Sequence, residues 1–266
     1  MKIFLSSLEQ GGACKNHFVE MSGKKVQMPT SYYLKDIMGV KFKWNLMSYF
    51  YIRTQLHVAY YIRDNSEEIL IDSGAHSFQK GKKVDWVEYT KQYAEFIKNF
   101  DRPHVLGYFE MDVDNIIGYE KVLELRKILE SVSDKIIPVW HKNRGIEDFK
   151  KMCQKYSGKI VAITGFKNED IQDHQYLMFL KYAKKYNCKV HCLGMTRRKI
   201  LDKVPFDYVD SSSWRQQGIY GRISNRGKVT REFSNTKREI IHSQNYLDAM
   251  KMQDYYYKKW QNVCKD

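Results

Sequence analysis

Residues 136–165 read IIPVWHKNRGIEDFKKMCQKYSGKIVAITG, and this stretch decides the fold class. A β-branched and aromatic run, Ile136 to His141, is followed by Ile146, Phe149, Cys153 and Tyr156 at i, i+3, i+7 and i+10, the spacing of one helix face. A second apolar run, Ile160 to Gly165, closes the unit. Strand, helix and strand within the roughly 30 residues a crossover requires is the signature of a parallel sheet.

The same alternation extends in both directions. Further strands are expected at Lys2 to Ser6, Ile69 to Ser73, Val105 to Asp112, Val190 to Gly194 and Tyr208 to Ser211. Trp86, Tyr89, Tyr93 and Phe96 keep helical spacing, and Asp85 with Glu88 three residues on forms a capping pattern at that helix start. The strand ends Asp72, Asp112, His141, Gly165, Gly194 and Asp210 are 40, 29, 24, 29 and 16 residues apart. Seven βα units, with an eighth strand expected near the C-terminus and no Gly-rich phosphate loop, predict an α/β fold of the TIM-like (β/α)8 barrel type. The aromatic, basic stretch from about Thr30 to Arg63 interrupts the first unit and reads as partly helical. Gly218 to Phe233 reads as a β-hairpin turning at Asn225 to Gly227, and a final helix is expected from about Thr236 to Trp260. The expected organisation is one barrel domain over 1–266, carrying an inserted basic hairpin at 213–235 and a C-terminal helical segment at 236–266.

A single barrel of about 250 residues accommodates the chain's 266 residues. With 43% hydrophobic and 29% charged residues and only 4 Pro, the chain buries a core, which excludes wholesale disorder. No stretch approaches the roughly 20 apolar residues of a membrane span, and the opening MKIFL is too short for a signal-peptide core, so a cytoplasmic location without a membrane partner is expected.

The net charge of +14 beside 20 Tyr, 13 Phe and 5 Trp suits a polyanionic partner, nucleic acid above all. An AT-rich genome inflating Lys and Tyr is the alternative, and charge placement separates the two. Arg197 to Arg238 holds eleven Lys/Arg against four Asp/Glu, so half the excess charge lies in 42 residues. The candidates for phosphate-backbone contact are Arg197, Arg198, Arg215, Arg222, Arg226 and Lys228, each alternatively a solvated surface charge. Trp214 beside them reads as core. The five cysteines form no CxxC pair, as expected of reduced thiols, and Cys188, His191 and Cys192 alternate along a strand and make a poor metal set.

In a barrel the C-terminal strand ends face the active site. The polar residues there are Asp72, Ser73, Asp112, Asp114, His141, Thr164 and Asp210. Any one Asp could be a helix cap. Several carboxylates converging from separate strands instead suit glycosyl chemistry, one as nucleophile and another as acid or base.

These residues carry a resemblance. Asp72-Ser73-Gly74-Ala75 followed by Phe78-Gln79 resembles the DSGGFQ signature of the tRNA-guanine transglycosylase family, with Ala for the second Gly and two extra residues before Phe-Gln. Tyr108 to Asp112, Ala162 to Phe166, His191 to Gly194, Val209 to Ser212 and the hairpin with Gly218, Gly221 and Arg222 are similar to family segments in the same order, over roughly residues 68 to 260. The resemblance implies that Asp210 attacks C1′ of a nucleotide to expel guanine, while Asp72 moves protons at the base. Asp112 would accept hydrogen bonds from the guanine, Gly165 would read the ring's other side, and Ser73, Gly74 and Gly194 would line the pocket. His76 or Phe78 and Leu193 or Met195 would sandwich the base. A free 7-deazaguanine is the implied co-substrate, with no cofactor.

The departures shape the reading. The zinc ligands of the tRNA-acting enzymes have no counterpart, because His242 has no cysteine nearby until Cys264. No metal is therefore expected. His141 stands where the family has a base-contacting Gln. Short, zinc-less relatives form the phage and bacterial branch that modifies guanine in DNA, so DNA is the expected partner and tRNA the alternative. A DNA glycosylase, with water as acceptor, uses the same carboxylates, and a non-catalytic nucleic-acid-binding barrel needs none of them. Oligomeric state is open.

Overall fold

The computed structural model of the chain describes residues 1–10, 13–21, 23–78, 84–164, 171–225, 228–231 and 238–264. Its strands are β1 (Lys2–Ser6), β2 (Ala13–Met21), β3 (Lys24–Pro29), β4 (Phe42–Ser48), β5 (Ser66–Asp72), β6 (Val105–Phe109), β7 (Ile136–Ile137), β8 (Val139–Trp140), β9 (Ile160–Thr164), β10 (Lys189–Leu193), β11 (Tyr208–Ser211), β12 (Arg222–Asn225) and β13 (Lys228–Arg231). Nine of them form one parallel sheet in the order β7-β6-β5-β4-β1-β11-β10-β9-β8. Its two end strands are separated in the chain by Pro138 alone, and the Ala162 amide donates to the Pro138 carbonyl at 2.9 Å, so the sheet is nearly closed and barrel-like. Proline has no amide hydrogen to give a ladder, which breaks this strand in two. Buried Glu110 repairs the break: its Oε1 accepts the Val139 amide at 2.5 Å, while both carboxylate oxygens take a bidentate pair from Arg126 at 2.6 and 2.9 Å.

All seven expected strands are present, and the eighth lies elsewhere. It is β4, inside the aromatic stretch, where it pairs with β1 and β5, rather than near the C-terminus. Phe42, Trp44 and Leu46 of β4 alternate with Lys43 and Asn45, but the polar side is enclosed as well: Asn45 is fully buried because its amide binds Ser66 Oγ at 3.1 Å and the Tyr246 hydroxyl at 2.8 Å. Helices Tyr49–Ile52 and Leu56–Asp64 complete that stretch. The β2–β3 hairpin precedes it, with Gly23 at a φ of +72° between its strands.

The hairpin β12–β13 is shorter than the sequence suggests, because its first residues belong to the helix Ser213–Ile219. That helix can pack closely because Gly218 has no side chain: a Cβ there would lie 2.5 Å from His242 Nδ1. Helix Trp86–Phe100 begins at Asp85, whose Oδ1 accepts the Glu88 amide at 3.0 Å, as the capping pattern predicts. The C-terminal helix, Arg238–Trp260, packs against β1. Its buried Gln253 donates to the carbonyls of Ile3 and Trp44 at 2.8 and 2.9 Å. β1 and β4 are in register only from Leu5 and Asn45 onward, so Gln253 bridges the two strands where their ladder is missing.

Two apolar layers result. The larger lies between sheet and helices. The smaller gathers Phe4, Trp44, Leu46, Leu70, Phe109, Ile137, Val139, Ala162 and Tyr208. Phe109 of β6 meets His191 of β10 at 5.0 Å between ring centroids, although these strands are far apart in the sheet. This smaller layer is therefore the barrel interior. No helix among the described residues is long and apolar enough to cross a membrane.

Candidate active site

Side chains on a strand repeat every two residues. The positions two beyond the interior residues Phe4, Leu46, Leu70, Val139, Ala162 and Tyr208 are Ser6, Ser48, Asp72, His141, Thr164 and Asp210, and His191 leads in the same way to Leu193. The pleat thus gathers these groups into one ring at the mouth.

Asp210 is the most heavily bonded. Its Oδ1 accepts from the Gly194 amide at 2.8 Å and from His191 Nε2 at 3.1 Å, and its Oδ2 accepts from Ser6 Oγ at 3.2 Å. Gly194 presents that amide from a backbone with φ of +64°, a conformation that suits glycine. His191 is completely buried in the interior layer.

Asp72 ends β5. Its Oδ2 accepts the Gly74 amide at 2.9 Å from a turn that only glycine fits: φ is +73°, and a Cβ would lie 2.4 Å from Phe50 Cβ. Burial raises the Asp72 carboxyl to about 6, against the opposing Gly74 hydrogen bond and with help from the charges of Asp112 and Asp210. Three carboxylates from three strands therefore act on one another electrostatically. Glu9, just past β1, is a further acid: burial lifts it to about 7 although its Oε1 accepts the Ser48 amide at 3.2 Å.

Asp112 Oδ1 meets His141 Nε2 at 2.5 Å, and Asp114 Oδ1 is 3.7 Å from the same nitrogen. Burial lowers the His141 pKa, but the Asp112 hydrogen bond and the two carboxylate charges outweigh it and hold the imidazole above its ordinary value. Arg144 lies over the Tyr119 ring at 4.2 Å, with Nε 3.6 Å from Asp114 Oδ2.

The remaining expected residues divide. Ser73 is fully buried, and its carbonyl accepts the Tyr89 hydroxyl at 2.8 Å, a scaffolding position. Phe78 is held by Phe50, Trp86 and Tyr89. Leu193 is half-buried at the mouth, whereas Met195 is fully buried and drops out as a stacking partner. Gly165, Arg226 and the side chains of His76 and Lys228 lie outside the described residues. Arg197 is paired with Asp173 and Tyr176 Oη, and Arg215 Nε donates to the Gln10 carbonyl at 2.8 Å, so both are already engaged. Arg198 is exposed, and Arg222 opens β12. Trp214 is core, as expected, its Nε1 donating to the Ser6 carbonyl at 2.9 Å.

Glu9, Ser6, Ser48, Asp114 as an orphaned acid, Arg144 and His191 in contact with Asp210 were not legible as site residues. For Ser6 and His191 the two-residue period was the available signal. Among the described residues, Cys153, Cys188, Cys192 and Cys264 form no disulfide. Among known proteins, no family model matches this chain and no curated sequence is significantly similar to it.

Proposed function

We propose that this protein is a base-exchanging pentosyltransferase on a TIM-like (β/α)8 barrel, replacing guanine in DNA by a 7-deazaguanine. One observation carries the reading: Asp210 and Asp72 meet at the barrel mouth in unlike environments, the first accepting three hydrogen bonds, the second raised to about 6. Glycosyl exchange needs such a pair, one carboxylate to attack and one acid to move protons. Asp210 forms a bond to C1′ as the C1′–N9 bond breaks, and Asp72 gives its proton to the departing guanine. The incoming base then returns a proton to Asp72 as its nitrogen displaces Asp210, so configuration is retained. Asp112 stands beside this pair, where the resemblance has the base read. The basic hairpin follows Asp210 in the chain through helix Ser213–Ile219, which supports a phosphate backbone lying across the mouth.

The test is incorporation of isotopically labelled guanine into duplex DNA, single-stranded DNA or bulk tRNA, with Asp210→Asn alongside. Label entering DNA with the wild type alone is the expected result. Label entering tRNA alone moves the substrate to RNA, release of guanine without incorporation makes the protein a glycosylase, and neither on any polymer overturns the reading.

A further inference from the structure

Asp114 sits where a carboxylate is costly. Its side chain is only 4% exposed, yet among the described residues neither Oδ1 nor Oδ2 accepts a hydrogen bond. A buried, ionised carboxylate without donors loses its solvation unless positive charge offsets the loss. Arg144 forms an ion pair with it but gives it no hydrogen bond. Its Nε stays 3.6 Å away, beyond hydrogen-bond distance, and Nε and Nη1 are themselves buried without hydrogen-bond partners.

What faces Asp114 is a set of metal-ligand type. One oxygen of Asp112, one of Asp114 and one imidazole nitrogen of His141 lie within 4.8 Å of one another, the sole such group among the described residues. Atoms bound to one ion at about 2.0–2.2 Å sit roughly 3.0–3.5 Å from each other. The observed separations of 2.5 Å (Asp112 to His141) and 3.7 Å (Asp114 to His141) bracket that value. The three come from the ends of β6 and β8, and Pro138 with Glu110 holds this part of the sheet. With Asp72, Asp210 and Glu9, the mouth gathers five acids, a concentration of negative charge that a cation would offset.

We infer that Asp112, Asp114 and His141 form a binding site for one divalent first-row transition-metal ion at the barrel mouth. Two carboxylates and one imidazole suit Mn²⁺, Fe²⁺ or Zn²⁺; the imidazole disfavours Mg²⁺ and Ca²⁺, and the absence of sulfur disfavours Cu⁺. Asp112 would coordinate through one oxygen, leaving the other toward a substrate. The site does not depend on the base-exchange reading.

The test is direct binding to the full chain after chelation and dialysis. Mn²⁺ is titrated and its free fraction followed by electron paramagnetic resonance, and Zn²⁺ is titrated by calorimetry. Wild type is expected to take up one ion per chain. Asp114→Asn, which keeps the side chain's shape, and His141→Ala should each weaken uptake by about tenfold or more, as loss of a ligand or its support does. Asp210→Asn, at the same mouth, should not, and circular dichroism verifies that each variant is folded. No saturable uptake of either ion up to about 1 mM, the weak end of protein metal affinities, overturns the inference. So does uptake that both Asp114→Asn and His141→Ala leave unchanged. No activity enters the readout, so failure here and failure of base exchange are separate results.

Discussion

His191 Nε2 lies 3.1 Å from Asp210 Oδ1, and the histidine making this contact is completely buried. Phe4, Phe109 and Tyr208 ring it at 5.0 to 6.5 Å. The interior layer thus reaches the proposed nucleophile through one imidazole, which orients the carboxylate without being exposed to substrate. His191→Phe should lower kcat of base exchange about 10- to 100-fold with little change in KM, the value of one hydrogen bond to a charged group. His191→Gln should recover part of it. Steady-state kinetics would show this; an unchanged kcat in His191→Phe would remove the positioning role.

Glu9 makes stability depend on pH. Its folded pKa is about 7 against an ordinary 4.5, so the folded state holds its proton more tightly than the unfolded chain. Its contribution is present in full below about pH 4.5 and is lost as pH rises through 7. The loss is on the order of 3 kcal/mol at most. Urea unfolding at pH 5 and pH 8 should show this decline, and Glu9→Gln should flatten it while matching or exceeding wild-type stability at pH 8.

Gly74→Ala should damage fold and site together. The new Cβ meets Phe50 Cβ at 2.4 Å and the Phe50 amide nitrogen at 2.7 Å, at a φ of +73°. A destabilisation of about 1–3 kcal/mol follows from the strain. Since the Gly74 amide also holds Asp72 Oδ2, activity should fall further than the unfolded fraction explains, which melting curves and assays on one preparation would compare.

Gln253→Leu keeps the helix but leaves the Ile3 and Trp44 carbonyls without its amide. The expected cost is about 1–3 kcal/mol, read as a shift of the urea midpoint. A neutral result would mean β1 and β4 close on each other without it.

Replacing Arg222 and Arg226 with Ala should weaken binding to all DNA sequences alike. If each neutralises one phosphate, the slope of log affinity against log salt should flatten by about 1.8. An unchanged slope would take the hairpin out of the interface.

The chain's own pattern determined the class of fold. β1 and β11 are where their β-branched runs place them, because a run of Ile, Val, Phe and Tyr with polar punctuation has few other homes. Asp72 and Asp210 were legible as candidates for the same reason: they end strands, and parallel strands end together. β4 was not, although Phe42, Trp44 and Leu46 alternate with Lys43 and Asn45: the run lies inside an aromatic, basic stretch that reads as partly helical, and its buried Asn45 is satisfied only by partners 21 and 201 residues away. The unlike settings of the acids also needed the tertiary structure. Burial of Glu9, the donors around Asp210 and the orphaned oxygens of Asp114 depend on residues that meet only when the barrel forms. Local sequence determines what a segment prefers to be, whereas solvation and charge are properties of the assembled neighbourhood.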